Sequence, residues 1–142
     1  MPLWILDTDH ISLYQRGHRT VIDQVISLSP KNLAVTVISI EEQMYGRLNE
    51  IKKASSSTSL ISSYSRLALT VDYYNSVQVL PFDLIAQQCF EELVLQRIRV
   101  GTQDLRIAAI ALSVDGTVVS RNHKDFSKVP DLQLENWAIA EV

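Results

Sequence analysis

The sequence predicts an α/β fold of three layers (α/β/α), with helices on both faces of a central, mainly parallel sheet of four to five strands. Two patterns lead to it. Short apolar runs rich in β-branched residues alternate with longer segments whose apolar residues recur every three to four positions. Helix-start signals stand directly behind the runs. The size and balance of the chain add a third observation: 142 residues, 46% hydrophobic and 20% charged, with only four Gly and four Pro, predict one domain over residues 1–142.

Residues 3–6 are apolar, and Asp7, Thr8 and Asp9 follow at once, the pattern of a buried strand running into a helix start. Val21, Ile22, Val25 and Ile26 mark a short amphipathic helix over residues 19–27, closed by Pro30. Residues 33–38 read as the second strand, after which Ser39 and Glu42 form a Ser-x-x-Glu capping box that opens a helix toward Ile51. The Ser-rich start of residues 54–65 reads as a hinge within the domain. Leu60, Ile61, Tyr64, Leu67 and Ala68 then keep a helical period to Tyr74, and internal packing is their expected use. Residues 77–80 read as the third strand. Pro81 and Asp83 introduce a helix to about Gln96, and Gly101-Thr102 opens another toward Ser113. Asp115-Gly116 turns the chain into a fourth strand at residues 117–120, and residues 132–137 form a candidate edge strand.

The single Cys89 excludes an internal disulfide and any multi-cysteine metal cluster, and it predicts a reducing, cytoplasmic setting. No apolar run approaches the roughly 20 residues of a membrane span, and Asp7 interrupts the start too early for a secretory signal. Neither export nor membrane insertion is expected. The formal net charge of −3 argues against broad electrostatic adhesion to nucleic acid. A knot of carboxylates that holds divalent cations also lowers net charge, so an RNA substrate stays compatible with it.

In open parallel sheets, ligands collect at the carboxyl ends of strands. Asp7 follows the first strand there, Glu42 sits early in the helix after the second, Asp104 lies in the first turn of the Gly101 helix, and Asn122 and Asp125 follow the fourth. Segments far apart in sequence thus converge on one acidic pocket, and hard cations such as Mg²⁺ and Mn²⁺ prefer such oxygens. Each residue also has a structural use as a helix cap or as an acid facing the helix dipole. The joint occurrence favours a site.

At these residues the chain resembles the PIN-domain family, in particular virulence-associated protein C toxins, over residues 3 to about 126. Leu6-Asp7-Thr8-Asp9-His10 resembles the family's Leu-Asp-Thr-Asn start, with Asp9 where Asn is usual. Glu42-Gln43-Met44-Tyr45-Gly46 resembles its Glu-Leu-x-Tyr-Gly motif, with Gln43 for Leu, and the offset from Gly46 selects Glu42 over Glu41. Asp104 followed by Ile107-Ala108-Ala109 is the most specific block. Ser120-Arg121-Asn122-His123-Lys124-Asp125-Phe126 resembles the Thr-x-Asn-x-x-Asp-Phe ending, with Ser120 for Thr.

The resemblance implies a PIN-like fold and a Mg²⁺- or Mn²⁺-dependent endoribonuclease, with Asp7, Glu42 and Asp104 as metal ligands and Asn122 or Asp125 completing the site. Thr8 or Ser120 would orient a carboxylate, and Arg121 and Lys124 are candidates for substrate phosphates or for ordinary solvated charges. An antitoxin protein and a homodimer are the implied partners, and the stretch of residues 55–69 is a candidate groove for the former. Arg106 points away from the Asp104 face. His10, His18 and His123 lack a mutual ligand spacing and read as structural or surface residues, while Cys89, Tyr73 and Tyr74 read as packing. Two other readings start from the same residues. Asp7-Thr8-Asp9 also matches the Asp-x-Asp start of haloacid dehalogenase-like phosphatases, and a PIN-like module without activity would only bind RNA or protein.

Overall fold

The computed structural model describes residues 2–139. Its elements are β1 (Trp4–Leu6), α1 (Thr8–Gln15), α2 (Arg19–Ile26), a 3-10 turn (Pro30–Asn32), β2 (Leu33–Thr36), α3 (Val37–Lys53), α4 (Ser57–Asn75), β3 (Val79–Leu80), α5 (Leu84–Leu95), α6 (Thr102–Ser113), β4 (Thr117–Val119), α7 (His123–Phe126) and β5 (Gln133–Glu135). The strands form one sheet in the order β3-β2-β1-β4-β5, with every neighbouring pair parallel. The expected α/β class and parallel sheet are borne out, with β5 as the edge strand.

Strand parity builds the three layers, because successive side chains leave a strand on opposite faces. Ile5, Ala34 and Val118 enter the core shared with α5, α6 and Phe126. Their neighbours Leu6, Val35 and Val119 enter the core shared with Ile11, Leu13, Val21, Tyr74 and Trp137. Helix α6 is buried along Leu105, Ile107, Ala108, Ala109, Ile110 and Ala111, while Asp104 in its first turn is only partly buried. At the turn into β4, Asp115 takes the left-handed conformation (φ 54°). Gly116 follows where space is tight: an added Cβ would lie 2.7 Å from the tip of the buried Ile5 side chain, which would have to shift, and 3.3 Å from Leu3 O.

Two local expectations are corrected. Ser39 does not cap α3: the strand ends at Thr36, whose hydroxyl accepts from Ser39 N, and the helix begins at Val37. Thr36 is itself a good cap, and it wins because β2 needs only four residues. The second correction concerns α4, whose helical period is real but whose inward face is rotated from the one expected: of the expected residues, Leu67 is half-buried in line with Ser63, Thr70 and Tyr74. Leu60, Ile61, Tyr64 and Leu69 are 41, 68, 55 and 66% exposed, while Ser63, Thr70 and Tyr74 are buried. Ser63 Oγ donates to Ser59 O and Thr70 Oγ1 to Arg66 O, both at 2.8 Å, so these hydroxyls are satisfied within the helix. Arg47 Nε donates to Thr70 Oγ1 and Tyr74 OH to Gln43 Oε1, so it is the polar side of α4 that meets α3. Of the Ser-rich stretch, only residues 54–56 lie outside helix, and Ser56 and Ser59 form the capping box of α4.

Candidate active site

The strand order reverses between β1 and β4, and the carboxyl ends of these two strands open the crevice where parallel sheets place their ligands. Asp7 leaves β1 at this point. Its backbone N–H donates to Val119 O at 3.0 Å, which pins it to β4. Its side chain caps α1, Oδ1 accepting from His10 N at 2.8 Å. One oxygen is thereby fixed, and among the described residues no hydrogen bond engages Oδ2. Asp7 is buried.

Glu42 reaches the same crevice from α3. Thr8 Oγ1 donates to Glu42 Oε1 at 2.7 Å and lies 2.9 Å from Ser39 Oγ. A hydroxyl has one proton to give, so Ser39 donates to Thr8 and Thr8 to Glu42, a relay that aims the carboxylate. Glu41 instead points out, accepting from Gln103 Nε2 at 2.8 Å. Thr8→Val is expected to lower any activity that depends on Glu42 by roughly 10–100-fold, the usual cost of losing an outer hydrogen bond to a metal ligand. Thr8→Ser should restore it. Wild-type activity in a folded Thr8→Val variant would show that the relay does not matter.

Asp104, in the first turn of α6, is met from the loop after β4 by Asn122, whose Nδ2 donates to Asp104 Oδ2 at 3.2 Å and to Asp125 Oδ2 at 3.1 Å. Ser120, fully buried, accepts from Asn122 N at 2.8 Å and so holds the loop rather than a carboxylate. Burial, with the negative charges of Asp7 and Glu42 added, pushes the Asp104 carboxyl up to about 6; the Asn122 hydrogen bond works against that rise. Asp125 is held below the usual carboxylate range by its hydrogen bond from Asn122 and by Lys128, whose Nζ lies 3.5 Å away. Among the described residues no Lys or Arg ion-pairs with Asp7, Glu42 or Asp104. Three acids that repel one another without a protein cation form a donor set suited to a hard divalent ion.

Among the described residues, the acids and histidines whose ligand atoms lie within 4.8 Å of one another are Asp7, Asp9 and His10, a group that includes neither Glu42 nor Asp104. Two of the three are otherwise engaged. Asp9 is gripped by Arg121, Nε at 2.7 Å and Nη2 at 2.6 Å, and this hydrogen bonding lowers its pKa. An Asp-x-Asp phosphatase would need that carboxyl free as its acid. The wholly buried His10 accepts from Trp137 N at Nε2 (3.2 Å), so in the neutral ring the proton sits on Nδ1. That atom has no hydrogen-bond partner and faces Asp7 Oδ1 at 3.6 Å. His10 therefore presents a donor to Asp7 rather than a lone pair to a metal. Ligand spacing among the histidines does not reveal this role; the place of His10 three residues after Asp7, on the same turn of α1, is the signal the sequence carries.

Arg121 is committed to Asp9 and Lys124 is exposed, and among the described residues neither ion-pairs with Asp7, Glu42 or Asp104. Arg106 turns away, as expected, donating to Gln103 and lying 5.5 Å over the Phe90 ring. His18 pairs with Thr20, Cys89 packs beside the α5–α6 core, and Tyr73 packs edge-on against Tyr74.

The all-parallel sheet with helices on both faces is a PIN-like α/β/α fold. No protein-family model matches the chain. It is 28% identical over 143 residues to Ribonuclease VapC2 of Rickettsia felis, an alignment covering 95% of this chain and 98% of that protein. Its fold is similar to that in the DNA-bound VapBC crystal structure from Salmonella typhimurium, with a TM-score of 0.76 at 24% identity over 96% of this chain and 99% of that one. The Rickettsia felis VapBC2 structure bound to a promoter DNA fragment gives a TM-score of 0.73 at 24% identity over 95% and 98%. The resemblance to virulence-associated protein C ribonucleases is borne out along nearly the whole chain.

Proposed function

We propose that the chain is a metal-dependent endoribonuclease that hydrolyses RNA phosphodiester bonds, the toxin of a toxin–antitoxin pair. The observation that supports this reading is that the charges of Asp7 and Glu42 act on the Asp104 carboxyl, while among the described residues no Lys or Arg ion-pairs with any of the three. Similarity to a ribonuclease over most of the chain supports it. Asp7, through Oδ2, Glu42 and Asp104 would hold Mg²⁺ or Mn²⁺. Such an ion, when bound, makes water more acidic and neutralises charge on the phosphate. Asn122 orients Asp104 by its amide hydrogen bond and keeps Asp125 beside it as the fourth acid. Thr8 and Ser39 fix Glu42, and His10 faces Asp7 from the buried side. No side-chain nucleophile is called for.

The partner reading is a small antitoxin, together with a second copy of the chain. It is supported by the exposed apolar side chains of α3 and α4, among them Tyr45, Leu48, Ile61, Tyr64 and Leu69. Among the described residues no helix is long and apolar enough to cross a membrane. One domain in the cytoplasm, with its lone cysteine reduced, completes the proposal.

The purified chain is expected to cleave RNA with Mg²⁺ or Mn²⁺ and not with EDTA. Asp7→Asn should lower the rate more than about 100-fold, beyond the roughly 10–100-fold typical of an outer-sphere loss. Equal cleavage in EDTA, or by a folded Asp7→Asn variant, would overturn the reading.

A further inference from the structure

A groove of about 740 Å³ runs between α1, α3 and α4, its walls including Asp9, Ser12, Arg16, Arg47, Arg66 and Thr70. Three guanidiniums border it. Arg47 and Arg66 share one carboxylate, Glu50, at 3.3 and 3.4 Å. Arg16 has no carboxylate partner among the described residues; its Nε donates to Ser12 O at 3.3 Å. Asp9 is already matched by Arg121. The groove thus carries a surplus of two positive charges in a chain whose formal net charge is −3.

The groove is preformed, and Asp9 places one end of it near Asp7 in the chain. Beneath it lies Gln43, buried where the family pattern has Leu, and it ties three helices together. Its Nε2 donates to Gln15 Oε1 (2.9 Å) and Ser12 Oγ (3.2 Å) on α1, and its Oε1 accepts from Gln15 Nε2 (3.2 Å) and from Tyr74 OH (2.8 Å) on α4. Arg47 is fixed by Thr70 as well as Glu50. One end reaches Asp9, two residues after Asp7.

We propose that this arginine groove binds the phosphates of the RNA strand that flank the bond presented to Asp7, Glu42 and Asp104. This rests on the nuclease reading above and assigns it a strand path. Guanidiniums suit phosphate oxygens through paired N–H donors. A cluster of acids repels a polyanion, so an adjoining cationic track is what brings the strand to it. Arg16 and Arg66, the exposed pair, make the contacts; Arg47 supports the wall.

The test compares wild type, Arg16→Gln/Arg66→Gln and Arg16→Lys/Arg66→Lys, with folding checked by melting. Arg19→Gln, on an exposed side chain of α2 outside the groove, serves as control. Binding of a short fluorescein-labelled single-stranded RNA is followed by anisotropy in Ca²⁺ over a salt series, and KM and kcat are measured in Mg²⁺ or Mn²⁺. The glutamine pair should weaken RNA binding and raise KM by about 10-fold, leave kcat within about twofold, and flatten the salt slope by about 0.7 for each phosphate that is no longer neutralised. The lysine pair should keep most of the slope, and the control all of it. RNA binding that needs Arg16 and Arg66 supports the groove even if nothing is cleaved, an outcome that would sink the nuclease reading alone. Cleavage with unchanged binding, KM and slope in the glutamine pair overturns the groove. So does unchanged RNA binding with lost affinity for a polyglutamate peptide, which would assign the groove to an acidic protein segment.

Discussion

Asp104→Asn is expected to lower metal-dependent RNA cleavage by about 10²–10³-fold or more, while making the metal-free protein more stable at neutral pH. The two effects have one cause. In the folded chain the Asp104 carboxyl is pushed up to about 6, from an ordinary value of 3.8, by burial and by the charges of Asp7 and Glu42. A carboxyl raised by folding costs stability wherever it is ionised. The cost is absent below about pH 4, grows as pH rises through the interval up to about 6, and is complete above it. Asn removes that cost, a gain of about 1–2 kcal/mol at pH 7.5 once solvent screening at this half-buried group is allowed for. In a chain of this length that raises Tm by a few degrees. The gain should vanish as pH falls toward 4. Adding Mn²⁺ should reverse the order, stabilising wild type and leaving the variant nearly unmoved. Thermal melts of the two proteins between pH 4 and 8, with and without Mn²⁺, check both signs. An Asp104→Asn protein no more stable than wild type at pH 7.5 would contradict the account of the pocket as a cluster of uncompensated acids.

Phe126→Ala is expected to cost about 3–5 kcal/mol, the largest single loss of stability we anticipate. The ring is wholly buried in the core that joins the sheet to α5 and α6. It also closes α7, the one-turn helix capped by Asn122 and carrying Asp125. Loss of the ring should therefore loosen the fourth segment of the acidic pocket as well as the core, and residual activity should fall even where the variant remains folded. Phe126→Leu, closer in volume, should cost less than about 2 kcal/mol and keep activity. Urea unfolding measures both. A Phe126→Ala loss under about 1 kcal/mol would mean that α7 does not depend on this contact.

The fold is legible in the sequence because β-branched runs and helical periods agree with one another along the chain. Residues 5 and 6, 34 and 35, and 118 and 119 divide between the two faces as strand parity requires. The acidic positions are legible because a parallel sheet places the residues after β1 and β4 side by side. What escapes is which face turns inward and which partner each polar group finds. The period of α4 is unambiguous, yet its hydroxyls satisfy themselves within the helix and so pack inward at little cost, leaving Leu60, Ile61 and Tyr64 outside. Ser39 has the pattern of a cap because Glu42 stands three residues on. In the structure both join a relay through Thr8, which lies more than 30 residues earlier, and local pattern carries no trace of it. The Asp9–Arg121 pair spans 112 residues and is hidden for the same reason. His10 has no second histidine at ligand spacing, whereas its role in the fold depends on the backbone N–H of Trp137.

The central claim, that Asp7, Glu42 and Asp104 form one cation-binding centre, is tested most directly by Mn²⁺ titration of the folded protein, followed by electron paramagnetic resonance and calorimetry. Wild type should bind Mn²⁺ saturably. Asp7→Asn, Glu42→Gln and Asp104→Asn should each lose that binding, and Asp23→Asn, at an exposed acid of α2 paired with Arg19, should keep it. Undiminished Mn²⁺ binding in the folded Asp7→Asn and Asp104→Asn variants would contradict the account.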